Sequence, residues 1–136
     1  MVKIEIAYEG ELRCTSRHTP SGTGLATDAP VDNQGRGETF SPTDLVATAM
    51  GACMLTTMGI VAARHDWDLT GASASVVKVM AADPVRRIGS LVVELHLPAA
   101  LDEAARKALE RAAATCPVHK SLSPDCDVPV SYHWDV

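Results

Sequence analysis

Aromatic residues are scarce in this chain, with one Phe, two Tyr and two Trp among 136 residues. That excludes a large aromatic core. Ala and Met are plentiful instead, and such small or flexible side chains suit helices lying close against a sheet. Basic residues are also few, 12 Lys and Arg against 17 Asp and Glu, for a formal net charge of -5. They are scattered rather than clustered, so there is no basic surface for phosphate contacts, and nucleic acid is not an expected partner. Internal repeats and low-complexity linkers are absent, and residues 1–136 are read as a single domain able to bury a core without disulfide staples. The opening Met1-Val2-Lys3-Ile4-Glu5-Ile6 carries charges where a signal peptide would need an apolar run. A cytoplasmic protein is therefore expected, whose four cysteines are not a secreted disulfide framework.

What is present alternates first with the period of a strand. Val2, Ile4 and Ile6 interleave with Lys3 and Glu5, Glu9-Gly10 offers a turn, and a second strand is expected around Leu12 to Ser16. A third short strand is expected around Leu25 to Ala29, followed by the polar loop Asp32 to Glu38. Ser41-Pro42-Thr43-Asp44 then reads as a helix start, with Ser41 as N-cap, proline in the first helical position and an acidic residue three places beyond the cap. From Leu45 to Ala63 no charge appears and apolar residues fall on every face. Such a helix is either buried all round or spans a membrane. Thr48, Thr56, Thr57, Gly51, Gly59 and the many alanines dilute its hydrophobicity, so a buried central helix, enclosed by sheet and a second subunit, is expected rather than a membrane span.

Ala72 to Ala81 and Ile88 to Leu97 read as a second hairpin turning at Asp83-Pro84. Asp102 to Ala114 is an amphipathic helix with Ala105, Leu109 and Ala112 inward, and with Glu103–Lys107 and Arg106–Glu110 spaced as pairs on its wet face. Cys116-Pro117 starts a short helix, and a last strand runs from Val128 to Trp134. Strands, helix, strands, helices, strand is an α+β order.

The chemistry rests on two cysteines. Cys116 has the N-terminus of a helix to favour its thiolate, whereas Cys53 lies about three turns into its helix and needs an imported cation. Around Cys53 the helix places Ala49, Met50, Met54, Thr57 and Met58, an apolar lining for a greasy substrate. Taken alone, a cysteine in an Ala-rich buried helix is more often an inert small hydrophobe. Cys116, His119, Cys126 and His133 match no common zinc framework, so neither a metal nor a cofactor is expected. Cys116 with His119 could act as an acyl-transfer pair, but residues three apart on a short helix more often share only a face.

The run Phe40-Ser41-Pro42-Thr43-Asp44-Leu45-Val46-Ala47-Thr48-Ala49-Met50-Gly51-Ala52-Cys53, with the later Cys116-Pro117-Val118, resembles the OsmC/Ohr superfamily of osmotically inducible and organic-hydroperoxide-resistance proteins. The resemblance covers nearly the whole chain. It implies antiparallel sheets around a long central helix in an intertwined homodimer, acting as a thiol peroxidase in oxidative-stress defence. Cys53 is then the peroxidatic thiolate that reduces an organic hydroperoxide to an alcohol, and Cys116 condenses with the resulting sulfenic acid to a disulfide that an external dithiol resets. Family peroxidases place Glu directly after the helix-starting proline, to hold an arginine over the thiolate. This chain has Thr43 there, leaving Asp44 or Glu38 as the carboxylate and Arg36, or else Arg13 or Arg17, as the cation. Phe40, Met50 and Met54 are the candidate substrate contacts. The rival reading is a non-enzymatic dimer that binds a small molecule in an apolar interface pocket or senses redox state.

Overall fold

The structure, a computed structural model, describes residues 1–136 and resolves them into two compact units, Met1–Val46 and Ala47–Val136. The first is an antiparallel meander of β1 (Ile4–Gly10), β2 (Arg13–His18) and β3 (Gly24–Asp28), in that spatial order. Gly10, Glu11 and Leu12 all take positive φ at the first turn, as the Glu9-Gly10 signal leads one to expect. Register sets Ile6 opposite Ser16 and Arg13 opposite Asp28. The expected half-buried strand is not half-buried within the chain: Ile4, Ile6 and Tyr8, all on one face, are 55%, 64% and 67% exposed. The polar loop begins with a single 3-10 turn, Val31–Asn33, and folds so tightly that a Cβ on Gly35 would lie 1.7 Å from the Ala29 carbonyl oxygen. Only glycine fits there.

Helix α1 (Pro42–Arg64) starts as its cap residues dictate. The Ser41 amide donates to Asp44 Oδ2 at 2.8 Å while the Asp44 amide donates to Ser41 Oγ at 3.1 Å, a reciprocal capping box with proline at the first helical position. The helix is long and apolar enough by length and composition to cross a membrane. Its burial differs from the expectation. Ala47, Met50, Gly51, Met54, Met58 and Ala62 are buried, a single stripe at helical spacing, while Ala49, Ala52, Thr56 and Ile60 are exposed. At Gly51 the stripe lies close against the strand Ser73–Ala81, since a Cβ there would meet Val76 Cγ2 at 3.0 Å and Ala74 Cβ at 3.4 Å.

The second unit's sheet is β4 (Ser73–Ala81), β5 (Arg87–Leu97) and β6 (Val130–Trp134), with β4 and β5 antiparallel. The expected all-antiparallel pattern stops there, because β6 runs parallel to β5. A parallel neighbour requires a crossover, and α2 (Glu103–Ala114) with α3 (Pro117–Ser121) provides it. Leu91, Val93, Leu95 and Leu97 of β5 are fully buried, while Glu94 between them is exposed, the alternation of a strand with one wet face. Asp102 caps α2 by accepting from the Ala105 amide at 2.9 Å, and Ala105, Leu109 and Ala112 form the inward stripe as expected. Lys107 pairs with Glu103 at 2.7 Å as the spacing requires. Arg106 is used differently: it donates to the carbonyls of Leu101 and Ala99 at 2.8 and 2.6 Å and lies over the Trp134 ring, while Glu110 accepts from Trp134 Nε1 at 3.2 Å. These contacts tie α2 to the last strand.

Candidate functional site

Within the second unit the fold brings Cys53 and Cys116 together, both as free thiols. Cys53 sits at the edge of the buried α1 stripe, partly exposed, and the Thr57 hydroxyl one turn on donates to its carbonyl at 2.8 Å. Cys116 is fully buried and is the N-cap of α3, where Pro117 fills the first helical position. Proline has no amide proton, so the first donors of that short helix are the N–H groups of Val118 and His119. The Lys120 amide closes the turn on the Cys116 carbonyl at 3.1 Å. The local sequence thus delivers one buried thiol and two N–H donors to one place.

The two thiols are driven in opposite directions. Burial pushes the Cys53 thiol up, but the Cys116 thiol, the Val118 N–H and the Thr57 hydroxyl all donate to its sulfur, and together they hold its pKa below the ordinary thiol value. Thr57 has one proton to share between this sulfur and the Cys53 carbonyl. Burial pushes the Cys116 thiol up, and donation to Cys53 adds to this against the weaker help of the His119 and Val118 amides. Cys53 is therefore the group that ionises and Cys116 the one that keeps its proton. Of the other two cysteines, burial and then the charge of Asp127 raise Cys126, and Cys14 lies on β2 in the first unit. The rate of alkylation of Cys53 by iodoacetamide should therefore rise with pH to a midpoint below that of an ordinary thiol. Cys116→Ala, which removes a donor to the thiolate, should move that midpoint upward.

The remaining candidates fall as follows. Arg36 pairs with the exposed Glu11. Arg13 is the arginine held by a buried carboxylate: its Nε and Nη2 donate to Asp28 Oδ1 and Oδ2 at 2.7 and 2.9 Å, and Nη2 also reaches Glu38 Oε2 at 3.0 Å. Glu38 thus joins the expected arginine–carboxylate cluster, but as a partner of Arg13. Asp44 closes the capping box of α1. Met50 and Met54 are fully buried packing residues, and Phe40 is exposed while its carbonyl accepts from the Asp28 amide at 3.1 Å. His119 Nδ1 is buried without a hydrogen-bond partner.

Asp28 and the Val118 amide were not among the expected residues. Asp28 becomes visible only once β2 and β3 are paired, which sets it opposite Arg13. The Arg13 fork holds the Asp28 carboxyl below the usual carboxylate range, against its burial. A carboxylate with a lowered folded-state pKa stabilises above its unfolded value and loses that contribution as pH falls through the folded one. Urea unfolding of Asp28→Asn should thus show lower stability than wild type at neutral pH, with the gap closing at strongly acidic pH.

Taken together, the fold and the site define a small α+β protein in which two free thiols, Cys53 and Cys116, are held together. The chain belongs to the OsmC family: the family model for OsmC-like protein matches residues 35–131. A solved structure from Psychrobacter arcticus 273-4, carrying an osmotic-stress and detoxification-response designation, is 45% identical with a TM-score of 0.91, over 98% of this chain and 96% of that one. An organic hydroperoxide resistance protein OsmC of Legionella pneumophila shares the fold at 20% identity and a TM-score of 0.79, over 98% of this chain and 96% of its own. An organic hydroperoxide resistance protein of Elizabethkingia anophelis does so at 12% identity and a TM-score of 0.78, over 99% of this chain and 96% of its own. Among curated protein sequences nothing matches.

Proposed function

We propose that the chain is a cysteine-based peroxidase that reduces organic hydroperoxides, with Cys53 as the attacking thiolate and Cys116 as the resolving thiol. The observation that carries this is the opposed pair: a thiol held below its ordinary pKa by a buried thiol held above its own. The Cys53 thiolate attacks the terminal oxygen of the hydroperoxide. An S–O bond forms as the O–O bond breaks, and the alkoxide leaves. Cys116, still protonated and donating toward the reacting sulfur, supplies the proton that turns the alkoxide into an alcohol. This leaves Cys116 as the thiolate. It then attacks the Cys53 sulfenic acid, the S–S bond forms, and the departing hydroxide takes a proton to become water. Two electrons from an external dithiol restore both thiols.

The resemblance also calls for an arginine; within the first unit Arg13 is held by Asp28 and Glu38, and Arg36 is paired with Glu11 at the surface. We further propose a homodimer, supported by the exposed apolar row of β1 and by the exposed face of α1. The test is intact-mass and peptide mass spectrometry of the reduced protein after one equivalent of cumene hydroperoxide. A Cys53–Cys116 disulfide formed within seconds, with loss of two hydrogen atoms from the protein and release of cumyl alcohol and water, is the expected result. Thiols left unreacted would overturn the proposal.

A further inference from the structure

The wet face of the second sheet carries a cluster that the thiol chemistry does not use. Parallel pairing of β5 with β6 sets His96 beside His133, their rings stacked with centroids 4.9 Å apart and planes 19° from parallel. Glu94, two residues before His96, lies on the same face. One ligand atom from each of Glu94, His96 and His133 lies within 4.8 Å of the others. Behind them stands a fourth residue. Asp135 places both carboxylate oxygens 2.9 Å from His96 Nδ1, and its own amide donates to the Leu97 carbonyl at 3.0 Å, which pins the backbone that aims it.

We propose that Glu94, His96 and His133 form a binding site for a divalent transition metal of the zinc class. With Nδ1–H given to Asp135, His96 keeps the lone pair of Nε2 for the ion, the carboxylate–histidine arrangement that orients metal-ligating imidazoles. His133 and the Glu94 carboxylate complete a His₂Glu set with a fourth position open to water. Ligands 2.0–2.2 Å from one tetrahedral ion stand about 3.3 Å apart, so modest χ rotations of exposed side chains close the site. The charge balances as well, since Glu94 and the supporting Asp135 offset the two charges of the ion. No cation competes in the register around it. The cross-strand neighbours of Glu94 are Ser75 and Ser131, and that of His96 on β4 is Ser73. Imidazole nitrogens with one carboxylate favour zinc, nickel or copper over magnesium or calcium. His133 thus finds its partners on a neighbouring strand, not among Cys116, His119 and Cys126, which is why linear spacing hid the set.

The experiment is titration of the metal-stripped, reduced full-length protein with zinc by calorimetry and with cobalt(II) by absorption spectroscopy. One equivalent per chain should bind, with visible cobalt d–d bands and no thiolate-to-cobalt charge-transfer band in the near ultraviolet. Each of His96→Gln, His133→Gln and Glu94→Gln should weaken binding at least tenfold. Asp135→Asn, which touches the site only through His96, should weaken it by about 10- to 100-fold while leaving the cobalt ligand set unchanged. Circular dichroism of each variant shows that it is folded, and the exposed Glu94→Gln serves if a histidine variant is not. Equal affinity in wild type and the three ligand variants would overturn the site. So would a charge-transfer band that survives the histidine changes and disappears in Cys53→Ser, since the ion would then be held by the thiols.

Discussion

Exchange of Cys53 for serine should reduce consumption of cumene hydroperoxide to the uncatalysed background, while Cys116→Ser should retain one rapid turnover per chain when no other thiol is present. The difference follows from the two environments. A serine hydroxyl at position 53 would receive the same donations from Cys116, Val118 and Thr57, but those contacts lower a thiol from just above neutrality, whereas an alcohol starts far too high for them to ionise it. Cys116→Ser leaves a hydroxyl where the buried thiol donates, so the Cys53 thiolate keeps a partner and still attacks. What is lost is the second sulfur, and the sulfenic acid should persist long enough to be captured as its dimedone adduct. Cys116→Ala separates the two contributions, since it removes the donor as well as the resolving sulfur and should slow the first attack at neutral pH where Cys116→Ser does not. Full multiple turnover in Cys53→Ser would overturn the assignment of the nucleophile. Unimpaired disulfide formation in Cys116→Ser would give the resolving role to another cysteine.

Local grammar was legible in the sequence wherever the signal and its consequence lie within one turn or one hairpin. Ser41-Pro42-Thr43-Asp44 encodes its capping box within four residues, Cys116-Pro117 encodes a helix start, and the six strands and three helices fall within a few residues of where alternation and capping place them. What was not legible depends on partners far apart in sequence. No pattern inside Val128–Trp134 reveals that the strand lies parallel to β5, because that is decided by the crossover through α2 and α3. The histidine cluster inherits the same blindness. That Arg13 is the arginine held by a buried carboxylate also depends on the β2–β3 register, which alone reveals Asp28. Likewise, a charge-free helix reads as buried on all sides, whereas the chain itself covers only the methionine stripe. Composition alone does not distinguish a helix face that the chain covers from one that it leaves exposed.

On the proposed homodimer a second copy should cover the apolar face of the first sheet, and Ile6→Glu should remove it. Ile4, Ile6 and Tyr8 form a continuous row on β1, and Leu25 on β3 is 47% exposed, opposite Ser16, which itself faces Ile6. A three-stranded sheet with such a face open to water lacks the burial that makes small sheets stable. Two-fold association counts every substitution twice. If burial of Ile6 contributes about 1.5–3 kcal/mol, its loss at both symmetry-related positions weakens the dimer by about 3–6 kcal/mol, on the order of 10²- to 10⁴-fold in dissociation constant. Desolvation of two glutamates adds to that. Sedimentation equilibrium should find wild type as a dimer at micromolar concentration and Ile6→Glu as a monomer, with Glu5→Gln, on the opposite face of the same strand, unchanged. A wild type that sediments as a monomer would refute the dimer. A dimer untouched by Ile6→Glu would place its interface on the exposed face of α1 instead, where Ile60 is 51% exposed and the corresponding Ile60→Glu change should then break it. Peroxidase activity measured across the same dilution series would tell whether the thiol centre works alone, because the opposed shifts of Cys53 and Cys116 arise from donors within one chain and should outlast the dimer.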